Sequence, residues 1–173
     1  MRQKPMLLLD IDGVVNAFRV YKTNNARSYQ RTTANGYVIT YRPEWAKWIE
    51  KLVSVSDPVW ATMWQANAAT HFAPQTGIGL GIKDHIEFDK HRDRRDEQRR
   101  GLTVGNLKHP GVVATVGNRP FCWIDDDLEP WQHDWARERR NLGIPTLLVQ
   151  PDPAVGLTAA QALEVHDFLV SAA

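Results

Sequence analysis

Residues 6–18 read MLLLDIDGVVNAF, an apolar run broken by two aspartates one residue apart and then a glycine. Met6 to Leu9 has the length and character of a buried strand, and Gly13 bounds its far end. A strand that only built a core would not need two carboxylates at its C-terminal tip. Open α/β sheets hold their ligands just outside the carboxyl ends of the strands. Two close carboxylates there repel one another unless a cation or a proton lies between them. The stretch reads as a site.

At 173 residues the chain is expected to form one domain with a sizeable core. With 43% hydrophobic and 24% charged residues and a formal net charge of +1, it carries no global pull towards nucleic acid or membrane. The single cysteine, Cys122, excludes an internal disulfide and suits a reducing cytosol. It falls inside an apolar run beside Trp123 and reads as an inert buried thiol. No apolar run approaches the ~20 residues of a membrane span. The first run stops at Asp10, so no signal peptide is expected and the location expected is cytoplasmic.

Two alternating runs in RSYQRTTANGYVITY flank Asn35-Gly36, a strong hairpin signal because both residues tolerate positive φ. Pro43 opens a helix with Trp45, Trp48, Ile49, Leu52 and Val53 on one face. Asp57-Pro58 reads as a turn before a strand in PVWATM, a helix follows in WQANAATHF, and three glycines in QTGIGLGI end it. IEFD reads as a minor strand, and KHRDRRDEQRR as either a polyanion-attracting segment or a solvated, internally paired helix. LKHPGVVATVG reads as a short helix with Pro110 in its first turn. RPFCWI is a strand ending in Asp125, Asp126 and Asp127. PWQHDWARERRNLG is a helix closed by Gly143, PTLLVQ a strand, and LTAAQALEVHDFLVSA a terminal helix capped by Thr158. Strands alternating with helices predict a Rossmann-like, doubly wound, mostly parallel sheet with helices on both faces.

Asp10 and Asp12, Thr62, Lys108, and Asp125 with Asp126 all stand at or near the ends of strands or the starts of helices. A doubly wound sheet gathers such ends at one edge. Carboxylates without thiols or paired histidines suit a hard cation, Mg²⁺ above all. A threonine hydroxyl, a lysine ammonium and the main-chain N–H groups after Asp10 suit a phosphate. Together they compose a phosphoryl-transfer site. Lys83 and Lys90 compete with Lys108 for the lysine position, and Trp64, Asn67 and Tyr41 are candidate pocket walls. The six histidines show no zinc-binding spacing.

The ordered set LLLDIDGVV, VWATM, NLKHPGV and FCWIDDD resembles the four motifs of the haloacid dehalogenase (HAD) superfamily of phosphotransferases. WATMWQANA and PDPAVGLTAAQALEVHDFL are similar to small members of it found in RNA-repair proteins. The resemblance implies Asp10 as the nucleophile that becomes an aspartyl-phosphate, and Asp12 as general acid and base. It implies Mg²⁺ on the Asp10 side chain, the Asp12 carbonyl and the acidic pair, Asp126 ahead of Asp125, with Asp127 leaving the register open. Thr62 and Lys108 would hold the phosphate. An acid at position 12 points to a phosphatase.

The resemblance also implies a β-hairpin flap just after the first motif, at about 17–42. Between that motif and Pro43 there is room only for the hairpin and no large cap, and residues 72–105 leave room for a small insert, within one domain over 1–173. The expected activity is Mg²⁺-dependent hydrolysis of a phosphomonoester on a small molecule or a nucleic-acid end, with no membrane and no obligate protein partner. The alternatives are a catalytically silent binding module and a phosphoacceptor signalling domain. Spaced acids first and an acidic pair late count against the second.

Overall fold

The computed structural model describes residues 3–18, 28–88 and 104–173. The charge run at 90–100, Lys90, part of the flap segment and most of the second half of the insert lie outside the described residues. Strand β1 (Met6–Leu9) is buried along its whole length and pairs in parallel with β4 (Asp57–Trp60) on one side and β6 (Phe121–Ile124) on the other. A strand hydrogen-bonded on both edges and covered on both faces reads as a continuous apolar run, which is what MLLL supplies. The two-residue β5 (Asp84–His85) extends the sheet beyond β4, and β7 (Thr146–Val149) beyond β6.

The order is β5-β4-β1-β6-β7, all parallel. Counting sheet strands alone it is 3-2-1-4-5, the order of a Rossmann-like fold with its switch point between β1 and β6. The period of two in each strand divides the core. Leu7 and Leu9 of β1, with Cys122 and Ile124 of β6, face the layer of α1 (Glu44–Ser54) and α5 (Ala159–Ser171). Met6, Leu8, Phe121 and Trp123 face the opposite layer, which includes α3 (Val104–Val116) and, through Trp135, α4 (Pro130–Asn141).

Trp45, Ile49 and Leu52 are the buried face of α1, and Trp45 Nε1 donates to the Leu157 carbonyl at 2.8 Å. At the start of α5 the Thr158 hydroxyl accepts from Gln161 N, and the Gln161 side chain accepts from Thr158 N. Gly143, at φ 78°, follows α4. The hairpin forms a separate two-stranded sheet of β2 (Gln30–Ala34) and β3 (Tyr37–Tyr41). Its turn residues Asn35 and Gly36 both have positive φ, 48° and 80°, as a type I′ turn requires. Among the described residues no helix is long and apolar enough to cross a membrane.

Four local expectations are corrected. Asp57-Pro58 opens β4 rather than forming a turn. Asp57 N and Ala61 N donate towards β1, so Pro58 presents its missing N–H to the other side, where pairing with β5 begins only at Val59. The minor strand is Asp84–His85, just before IEFD, because Trp60 O already accepts from Ile86 N as the chain leaves the sheet. The helix after Thr62 is interrupted: a π-helical turn at Ala68–Phe72 leads into the short α2 (Ala73–Thr76). Pro110 lies inside α3, not in its first turn, since the helix starts at Val104.

Candidate active site

Each central strand delivers a polar residue to the carboxyl edge. The hydrogen-bonding ladder runs one residue past the strand ends: Asp10 N donates to Ile124 O, Asp125 N to Val149 O and Ala61 N to Leu9 O. Asp10 and Asp125 are thereby fixed by main chain on the two sides of the switch point, and Thr62 follows β4 at the same edge.

Helix α3 brings Lys108 to them from behind. Its ammonium donates to Asp10 Oδ2 at 2.6 Å and to Asp125 Oδ2 at 2.7 Å, and all three side chains are buried. Burial lifts the Asp10 carboxyl to about 8; Lys108 opposes that rise and Asp125 adds to it. Burial disfavours the Lys108 ammonium, but Asp10 and Asp125 together outweigh it and raise its pKa. Next to it, the His109 ring is held edge-on between Trp131 and Trp135 of α4, at 4.5 and 4.6 Å between centroids. That clamp seats α3 beside the sheet, and burial lowers the pKa of His109.

Asp126 turns the other way, over Gly13. A Cβ at Gly13 would lie 2.1 Å from Asp126 Cγ, and the glycine has φ 74°, so both contact and conformation exclude a side chain there. Oxygens of Asp10, Asp125 and Asp126 lie within 4.8 Å of one another. Burial and the Asp125 charge push Asp126 up to about 6. Fully ionised, three carboxylates against one ammonium would carry two formal negative charges on an all-oxygen donor set, which fits a hard divalent cation. Asp125 is the more engaged of the pair: Oδ2 accepts from Lys108 and Oδ1 from Asp127 N.

Asp12 is bracketed. Asn16 Nδ2 donates to its Oδ1 at 2.7 Å and Trp64 Nε1 to its Oδ2 at 3.0 Å. Asn16 Oδ1 in turn accepts from Thr40 N on the hairpin, and Ala17 N donates to Thr40 O. Trp64 meets the ring of Tyr37, at the hairpin tip, edge-on at 5.6 Å. Thr62 is buried, and its Oγ1 accepts from Trp64 N at 3.4 Å. A cavity of about 270 Å³ is lined by Asp10, Asp12, Phe18, Met63, Lys108, Asp126 and Asp127.

A family model described as the HAD domain in Swiss Army Knife RNA repair proteins matches residues 6–162, from the start of β1 into α5. The chain belongs to that family. No curated relative matches it.

The HAD domain brings Asp10, Asp12, Lys108 and Asp126 to one cavity, with Asp125 directly behind through Lys108. Lys83 is elsewhere, with its Nζ on Leu80 O. Of the expected pocket walls, Trp64 reaches Asp12, while Tyr41 donates to Gln30 and neither it nor Asn67 lines the cavities beside Asp12. Asn16 and Tyr37 were not legible as site residues. The one local signal was an amide closing the apolar turn DGVVN, four residues after Asp12.

Proposed function

We propose that this HAD domain is a Mg²⁺-dependent phosphohydrolase that cleaves a phosphomonoester through an aspartyl-phosphate. The observation that supports it most directly is Lys108 bonded to both Asp10 and Asp125 beside the carboxylate of Asp126. A fixed buried cation lets a carboxylate nucleophile and a phosphate dianion occupy one site. Asp10, the Asp12 carbonyl, Asp126 and Asp125 would hold Mg²⁺, which when bound neutralises charge on the phosphate and the acids.

In the first half-reaction an Asp10 oxygen forms a bond to phosphorus as the bond to the ester oxygen breaks. Asp12 gives its proton to the departing oxygen. In the second, Asp12 takes a proton from water as that water attacks phosphorus, which frees Asp10 and releases phosphate. Thr62 and Lys108 hold the phosphate oxygens, and Asn16 and Trp64 keep the Asp12 carboxylate aimed at the ester oxygen.

The substrate in this reading is a phosphorylated small molecule or a nucleic-acid end, in keeping with the RNA repair proteins that the family description names. A single domain over residues 1–173, a cytoplasmic location and the absence of an obligate partner complete it. Hydrolysis of p-nitrophenyl phosphate with Mg²⁺, and its loss in EDTA, is the test. Full activity in EDTA, or none at any Mg²⁺ concentration, overturns the proposal.

A further inference from the structure

We propose that the cavity walled by Phe18, Tyr37, Val38, Met63 and Trp64 binds a planar ring carried on the leaving alcohol of the substrate. The inference rests on the phosphohydrolase reading and names what that site selects. The cavity measures about 400 Å³ and also meets Asp12 and Asn16. It shares Asp12, Phe18 and Met63 with the smaller cavity that holds Asp10 and Lys108. Asp12, the residue that protonates the leaving oxygen, thus stands on the common wall. Whatever fills the larger space is attached to phosphorus through that oxygen.

The walls specify a ring. Phe18 is 42% exposed, and Tyr37 and Val38 are each 65% exposed. Single exposed apolar side chains need no explanation, but several around one cavity mark a binding surface. Trp64 is held in advance of any ligand, by its bond to Asp12 and by edge-on contact with Phe72 at 5.9 Å. The polar groups at this wall are committed already: Asn16 gives its amide to Asp12 and takes the Thr40 N–H. A polyhydroxylated leaving group would find few partners there. A neutral ring would meet faces and edges.

The test uses the full chain with Mg²⁺ and two pairs of probes. Benzyl phosphate and ethyl phosphate release alcohols of similar basicity, so their chemistry is matched and their kcat/KM ratio reads the ring. Benzylphosphonate and ethylphosphonate, titrated by calorimetry, read the same preference without turnover. The benzyl member of each pair is expected to be favoured about tenfold or more, the scale of one aromatic stacking contact. Tyr37→Ala should bring both ratios towards one, and Tyr37→Phe should keep them. A nucleoside monophosphate favoured over ethyl phosphate in the same Tyr37-dependent way assigns the ring to a nucleobase. A preference confined to benzyl assigns it to a small aromatic alcohol. Equal handling of benzyl and ethyl probes, or a preference that survives Tyr37→Ala, overturns the proposal. If no ester is hydrolysed, the phosphohydrolase reading falls, and the phosphonate titration still decides the ring site.

Discussion

Lys108 Nζ sits 2.6 Å from Asp10 Oδ2 across 98 residues of sequence, with both side chains almost wholly enclosed. The second bond, to Asp125, makes Lys108 the shared counter-ion of two buried acids. Lys108→Ala is expected to lower kcat/KM for p-nitrophenyl phosphate by about 10²-fold or more. It should also destabilise the fold, since removing one partner of a buried pair costs about 3–5 kcal/mol. Lys83→Ala, whose ammonium caps Leu80 O on the surface, is the control and should change neither kinetics nor the melting temperature appreciably.

Asp10→Asn should abolish turnover, because an amide oxygen is a poor nucleophile towards phosphorus. The check is chemical as well as kinetic. Wild-type protein quenched in acid during turnover should carry an acyl phosphate sensitive to hydroxylamine, and the variant none.

Asp12→Asn should slow hydrolysis of poor leaving groups by about 10²–10⁴-fold. The loss should shrink for p-nitrophenyl phosphate, whose phenolate leaves with little need of a proton. Equal losses across a leaving-group series would remove Asp12 from the acid role. Asn16→Ala should give a weaker version of the same pattern, about 10–10²-fold on poor leaving groups, because it frees one Asp12 oxygen and unties Thr40.

Folded Asp10 at about 8 and Asp126 at about 6 both stand above the ordinary carboxylate value of 3.8. In metal-free protein the folded state therefore binds these protons more tightly than the unfolded chain. Their stabilising contribution is fully present below that ordinary value and is lost as pH rises through about 6 and then about 8. Mg²⁺ favours the ionised carboxylates and acts in the opposite sense. The rise in Tm produced by saturating Mg²⁺ over EDTA should be smallest near about pH 5 and largest near about pH 9. Thermal melts across that range decide the matter, and a shift independent of pH would place Mg²⁺ elsewhere.

What the sequence disclosed was what local chemistry dictates. The apolar run at Met6–Leu9, the two positive-φ residues of the hairpin and the Thr158–Gln161 cap each depend on a few neighbouring residues. The acids stood out because charged residues at the mouths of apolar strands are costly without a purpose, whereas Lys108, which lies inside α3, was singled out over Lys83 and Lys90 through the order of the motifs. What escaped depends on partners far along the chain. Pro58 is tolerated in a strand only because β5 starts one residue later, and Pro110, a residue type that favours the first helical turn, sits inside α3 because the helix begins upstream at Val104. The Asn16 bracket needs a main-chain N–H 24 residues away, and the place of Tyr37 needs the hairpin folded back onto Trp64.

Cys122 lies in β6 with no measurable exposure, one strand from the middle of the sheet, and burial raises its thiol pKa well above the ordinary value. Being the chain's only sulfhydryl, it makes every thiol-labelling event attributable to a single place. A disulfide reagent can reach it only after β6 separates from β1 or the α1 and α5 layer lifts. The rate of modification is thus a clock for opening of the sheet beneath the site, untouched by fraying at the surface. Timed with and without Mg²⁺, it would measure how firmly an ion gripped at the strand tips holds the sheet beneath them closed.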